Sequence, residues 1–79
     1  MKILSHDSII DDFVTINPGT MINGVNRVMT GSYLGTGTIT KEEITIGKWS
    51  ITAAGSVLIK NIPDYSLFAG VPAKLKKKL

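Results

Sequence analysis

The sequence predicts an all-β fold: a parallel coil of very short strands. Three observations carry that reading. Aliphatic residues recur every six positions, a small or β-branched residue follows each at a fixed offset, and Gly, Asn and Asp punctuate the chain throughout. A helix turning every 3.6 residues would scatter apolar residues six apart around its axis. One long strand would not carry so many Gly, Asn and Asp.

The period is read in order from Leu4. The hexads are LSHDSI, IDDFVT, INPGTM, INGVNR, VMTGSY, LGTGTI, TKEEIT, IGKWSI, TAAGSV and LIKNIP. Their first positions are Leu4, Ile10, Ile16, Ile22, Val28, Leu34, Thr40, Ile46, Thr52 and Leu58. Their fifth positions are Ser8, Val14, Thr20, Asn26, Ser32, Thr38, Ile44, Ser50, Ser56 and Ile62, where Asn26 alone is neither small nor β-branched. First and fifth positions are therefore assigned to the interior. The second positions hold Asp11, Asn17, Asn23, Gly35 and Gly47, types that tolerate a left-handed backbone, so the turns are expected to fall between hexads. Three hexads close one coil of eighteen residues. Residues 4–57 make three coils and 58–63 begin a fourth, about the minimum for a stable stack. The β-helix spans 1–63. Residues 64–79 form a C-terminal loop and basic tail, with 64–73 a loop or extended segment and 73–79 either frayed or a short helical cap, because Pro63, Gly70 and Pro72 interrupt the period.

Composition narrows the function. A 79-residue chain is one domain and buries only roughly 60% of its unfolded surface, so it calls for a partner. There is no cysteine and only one histidine, which excludes a disulfide and argues against a protein-only metal site. The net charge of +3 sits mostly on Lys74, Lys76, Lys77 and Lys78, a solvated tail and not a nucleic-acid face. No apolar run reaches membrane-spanning length and residues 1–20 lack a signal peptide's charged and apolar regions, so the expected location is cytoplasmic. Phe13, Tyr33, Trp49 and Tyr65 avoid the interior positions, and exposed aromatics point to subunit packing.

The hexads INPGTM, LGTGTI, IGKWSI and TAAGSV, the HD pair, the NGV hexad one coil later and the ending LFAGVPAK resemble the hexapeptide-repeat acyltransferases. Within them the chain is most similar to the C-terminal part of the sialic acid O-acetyltransferase and bacillosamine-type sugar N-acetyltransferase group, from His6 to Lys74. The resemblance implies a left-handed β-helix; physics alone would favour the other hand, since roughly 98% of parallel crossovers are right-handed. It further implies a homotrimer, acetyl-CoA as cosubstrate in a groove between neighbouring β-helices, and a sugar or nucleotide-sugar acceptor. Relatives usually carry an N-terminal nucleotide-sugar-binding domain before the HD motif, so a separate partner supplying it is a further expectation.

Residue by residue, the resemblance makes His6 the general base and Asp7 the acid that orients it. An imidazole suits this role because its ordinary pKa lies near working pH. Taken alone, His6 in a third position is an exposed polar residue, and the motif around it reverses that balance. Gly24 follows His6 by eighteen residues, one coil on, where a backbone N–H could stabilise an oxyanion. Gly24 also reads as a plain turn glycine. Thr15, Thr36, Ala54, Ala69, Gly70, Pro72 and Lys74 match acetyl-CoA contacts of the group. Relatives often have a histidine or another polar group at the position of Thr15, so the hydroxyl stays and an imidazole is lost. The competing reading is a truncated, noncatalytic trimeric β-helix that still binds CoA. A γ-type carbonic anhydrase is set aside, because it needs three histidines around zinc.

Overall fold

The computed structural model describes the backbone of residues 3–4 and all of residues 8–79. His6 and Asp7 lie outside the described residues. Ten two-residue strands wind as a triangular coil: β1 Ile3–Leu4, β2 Ile9–Ile10, β3 Thr15–Ile16, β4 Met21–Ile22, β5 Arg27–Val28, β6 Tyr33–Leu34, β7 Ile39–Thr40, β8 Thr45–Ile46, β9 Ile51–Thr52 and β10 Val57–Leu58. They are followed by β11 Ser66–Gly70 and β12 Ala73–Lys78.

Three parallel sheets form the sides. The first stacks β1, β4, β7 and β10; the second β2, β5 and β8; the third β3, β6 and β9, extended by β11 and β12. Stacked strands are eighteen residues apart, as in Met21 with Ile39, Arg27 with Thr45 and Tyr33 with Ile51. This is the period expected from the hexads.

The interior also follows the expected phase. Ile22, Val28, Leu34, Ile46 and Leu58 are at most 1% exposed, and Ile44 and Ile62 join them. Thr40 and Thr52 continue the first-position column, fully buried. The fifth-position hydroxyls are buried because each has carbonyl partners. Ser32 Oγ donates to Met29 O at 2.8 Å and lies equally close to Gly47 O, one coil on. Thr38 Oγ1 donates to Gly35 O at 2.7 Å, and Ser56 Oγ to Ala53 O at 2.7 Å. A hydroxyl here lets a narrow interior satisfy second-position carbonyls without water. Ile10, Val14 and Ile16 are half-buried, and among the described residues β2 and β3 are the end strands of their sheets.

The expected placement of the turns is corrected. Fifth and first positions stand two residues apart, so strand alternation points both inward only if the strand straddles the hexad boundary. The turn therefore falls inside the hexad, at the third and fourth positions. Fifth-position amides close it onto second-position carbonyls, as in Thr38 N to Gly35 O at 3.1 Å. Positive φ occurs at fourth positions such as Gly19, Gly31, Gly37 and Gly55, as type II turns require. Gly35 and Gly47 serve another purpose. A Cβ on Gly35 would stand 2.6 Å from Ala54 N and 2.7 Å from Thr52 O, and one on Gly47 2.5 Å from Asp64 N.

The tail is also corrected. Residues 73–79 are neither frayed nor helical. β11 adds in parallel to β9, with Leu67 opposite Ile51, and β12 returns antiparallel along β11. The open edge of β9 supplies a backbone template that the lysine-rich composition does not reveal.

Candidate functional site

Stacked turns make three corners, each with a distinct surface. The aromatic corner carries Phe13, Gly31, Trp49 and Tyr65. The small-residue corner carries Pro18–Gly19, Thr36–Gly37 and Ala54–Gly55. The glutamate corner carries Gly24–Val25 and Glu42–Glu43. Backbone bonds tie turn to turn along the first two: Trp49 N to Thr30 O at 2.9 Å, Tyr65 N to Lys48 O at 2.9 Å, Gly37 N to Pro18 O at 3.1 Å and Gly55 N to Thr36 O at 2.8 Å.

Of the residues singled out in the sequence, Thr36 and Ala54 fall together on the small-residue corner, both exposed. Ala53 N bonds Phe68 O at 3.0 Å, so β11 leads Ala69 and Gly70 on from that level. Gly70 and Ala69 pair with Ala73 and Lys74, which places Pro72 in the exposed hairpin turn between the strands. This corner is open to solvent along its length. A Cβ built on Gly55 meets nothing within 4 Å, and Gly37 is nearly as open, its closest neighbour being backbone at 3.9 Å. Thr15 is not part of the group. It lies exposed on β3, opposite Tyr33 in the third sheet.

Gly24 stands on a different corner, with φ +61 at a third position, whereas Phe13, Gly19, Gly31, Gly37, Glu43, Trp49 and Gly55 hold positive φ at the fourth. A Cβ there would come within 2.5 Å of Glu42 Cβ, so only glycine lets the coils stack at this point. Asn26 holds this altered turn. Its Nδ2 donates to Asn23 O and to Thr40 Oγ1, and its Oδ1 accepts from Ile44 N at 2.7 Å, one coil on. Asn26 is 2% exposed. The break it makes in the fifth-position pattern is the signal that could have marked it as the support of Gly24. Ser8 Oγ donates to Gly24 O at 2.9 Å from the coil below.

Beside Gly24 opens a cavity of about 400 Å³, lined by Ile9, Val25, Asn26, Arg27, Glu43 and Thr45. That volume lies within the usual range for small-molecule sites, roughly 300–1,000 Å³. Arg27 is held from the second sheet by Asp11 Oδ2 at 3.1 Å. Sequence reasoning missed Arg27 and Glu43, which sit in different hexads and share no motif. The aromatic residues are exposed as expected: Phe13, Tyr33, Trp49 and Tyr65 all stand at the surface. Among the described residues no group of three or more His, Cys, Asp and Glu is placed to hold a metal ion, and no helix is long and apolar enough to cross a membrane.

No family model matches the chain. The acetyltransferase domain of PglB from Neisseria gonorrhoeae FA1090, solved with acetyl coenzyme A, superposes with a TM-score of 0.92 at 36% identity, covering 94% of this chain and 36% of that one. WeeI from Acinetobacter baumannii AYE superposes at 0.89 with 33% identity, over 94% of this chain and 37% of that one. In sequence, the serine acetyltransferase of Bacillus pumilus is 30% identical over 74 residues, which is 84% of this chain and 34% of the relative. The chain thus spans about a third of the length of the relatives it matches. In sequence and in fold alike, it is a hexapeptide-repeat β-helix that resembles those of the hexapeptide-repeat acyltransferases.

Proposed function

We propose that the chain is the acetyl-transferring β-helix of an acetyl-CoA-dependent acetyltransferase, acting on an amino or hydroxyl group of a sugar or nucleotide sugar. The observation that carries this reading is the division of labour between corners. The small-residue corner and the hairpin beside it offer an open, nearly side-chain-free path for a pantetheine arm. The glutamate corner offers a glycine backbone beside a small-molecule cavity.

In this mechanism the acceptor N–H or O–H gives its proton to His6, which Asp7 orients. The freed lone pair attacks the thioester carbonyl, and charge moves onto the carbonyl oxygen, where the Gly24 N–H receives it. The C–S bond then breaks, the acetyl group stays on the acceptor, and CoA leaves as a thiolate that takes up a proton. The eighteen residues from His6 to Gly24 equal the register between adjacent coils, which supports pairing these two in one site. Thr36, Ala54, Ala69 and Gly70 would hold acetyl-CoA mainly through backbone, Pro72 would shape the hairpin turn, and Lys74 would meet a phosphate.

The two corners stand at opposite ends of the first sheet, five residues and so about 16 Å apart at ~3.3 Å per residue. In a ring of three copies packed through this sheet, the small-residue corner of one chain would lie beside the glutamate corner of the next. We therefore assign the working unit as a homotrimer, with the acetyl-CoA groove between neighbours. The first sheet's outer row, Met21, Ile39 and Val57, is the apolar surface such packing would cover.

The test is acetyl transfer to amino sugars and sialic acids, followed as free thiol release, with acetyl-CoA affinity measured alongside. His6→Ala should lower turnover by about 10²–10⁴-fold, the typical worth of a general base, and leave acetyl-CoA affinity nearly unchanged. Activity that survives His6→Ala refutes the mechanism. Tight acetyl-CoA binding without any transfer by the wild type would mark a noncatalytic β-helix.

A further inference from the structure

We infer that the cavity beside Gly24 selects acceptors that carry a primary amine and an anionic group on one small molecule. The inference rests on the reading above and names the acceptor's chemistry, which that reading leaves open between amine and hydroxyl. Two charges of opposite sign line the same cavity. They are set apart by the fold: Glu43 belongs to the corner turn, and Arg27 to the strand that leaves it.

The Glu43 carboxylate lies one coil on from Gly24–Val25, at the end where transfer would take place. Glu43 holds φ +59, a conformation in which glycine is more at ease, yet the position carries a charged side chain. Among the described residues it makes no ion pair. A carboxylate so placed favours an ammonium or amine over a hydroxyl at the reacting end.

Arg27 lies on the outer row of the second sheet, opposite Thr45. Asp11 engages one guanidinium nitrogen, but a guanidinium has five N–H donors and this side chain is 50% exposed. Asp11 therefore orients the group and leaves donors for a second anion. Ile9, beside Arg27 in the second sheet, and Val25, one coil before Glu43, are both exposed and add apolar wall to the same cavity. An acceptor that fits has its amine toward the corner and a carboxylate or phosphate toward Arg27.

The test is binding to the full chain by calorimetry, with four probes: glucosamine 6-phosphate, muramic acid, glucosamine and glucose 6-phosphate. The first two carry amine and anion together, as phosphate and as carboxylate; the last two carry one charged group each. The probes with both groups should bind about tenfold tighter than either probe with one, the scale of one charge-assisted hydrogen bond. The order of the first two distinguishes phosphate from carboxylate. Arg27→Gln should remove the advantage owed to the anion, and Glu43→Gln the advantage owed to the amine. Both residues are exposed, and circular dichroism confirms folding of each variant. Equal binding of all four probes, or a preference that neither substitution changes, overturns the inference. Acetyl-CoA affinity on the same samples reports separately on the function proposed above: its loss would refute that reading, whereas the probe preference is measured without cosubstrate.

Discussion

Replacing Leu34 by Ala tests the phase of the whole coil. Leu34 is fully buried on β6, between β3 and β9, in the middle of the stack. Ile16 occupies the same column one coil below and is only half-buried. A buried Leu→Ala change costs about 2–5 kcal/mol, from lost transfer energy and the cavity left behind. The middle coil has layers on both sides and little freedom to collapse, so we expect about 3–4 kcal/mol for Leu34→Ala. Ile16→Ala should cost roughly half as much, because water already reaches the side chain. A chain of this size is stabilised by roughly 4–12 kcal/mol in total, so the Leu34 variant approaches the limit of folding. The assay is urea denaturation followed by circular dichroism, at one fixed protomer concentration because assembly contributes to apparent stability. A cost for Leu34→Ala below about 0.5 kcal/mol, the surface value, or no greater than that of Ile16→Ala, refutes the assignment of first positions to the interior.

Two glycine substitutions separate steric from conformational need. Gly35→Ala forces a methyl into backbone at 2.6–2.8 Å and should cost several times more than Gly55→Ala, which meets open space and bears only its positive φ, about 1 kcal/mol; denaturation midpoints of the pair check this. Light scattering should find a trimer at micromolar concentration, and a stable folded monomer would refute the assembly.

The interior was legible in the sequence because a period of six leaves no other common face. Every first and fifth position from Thr20 to Ile62 is buried. The turns were less legible, since the hexad LGTGTI places glycine at both its second and fourth positions. One is there for lack of space and the other for positive φ, and composition cannot tell them apart. Phe13, Glu43 and Trp49 mislead further: bulky or charged residues occupy left-handed positions that sequence rules would assign to glycine. Thr36 and Ala54 were singled out through the family resemblance, and the structure sets them on one corner, eighteen residues apart. The cavity could not, because Arg27 and Glu43 become neighbours only when one coil stacks on another.

Trp49 gives the molecule an optical reporter of its own. It is the chain's single tryptophan, and its indole lies where a Cβ on Gly31 would intrude, 2.3 Å from ring atoms. The ring thus spans the seam between the second and third coils with one side turned to water, 49% exposed. Parting of those two coils would lift the indole off the glycine backbone and redden its fluorescence. Emission from this one residue therefore follows the seam, while circular dichroism follows the entire stack. Agreement between the two signals would mark cooperative melting, and a lag would mark unzipping coil by coil.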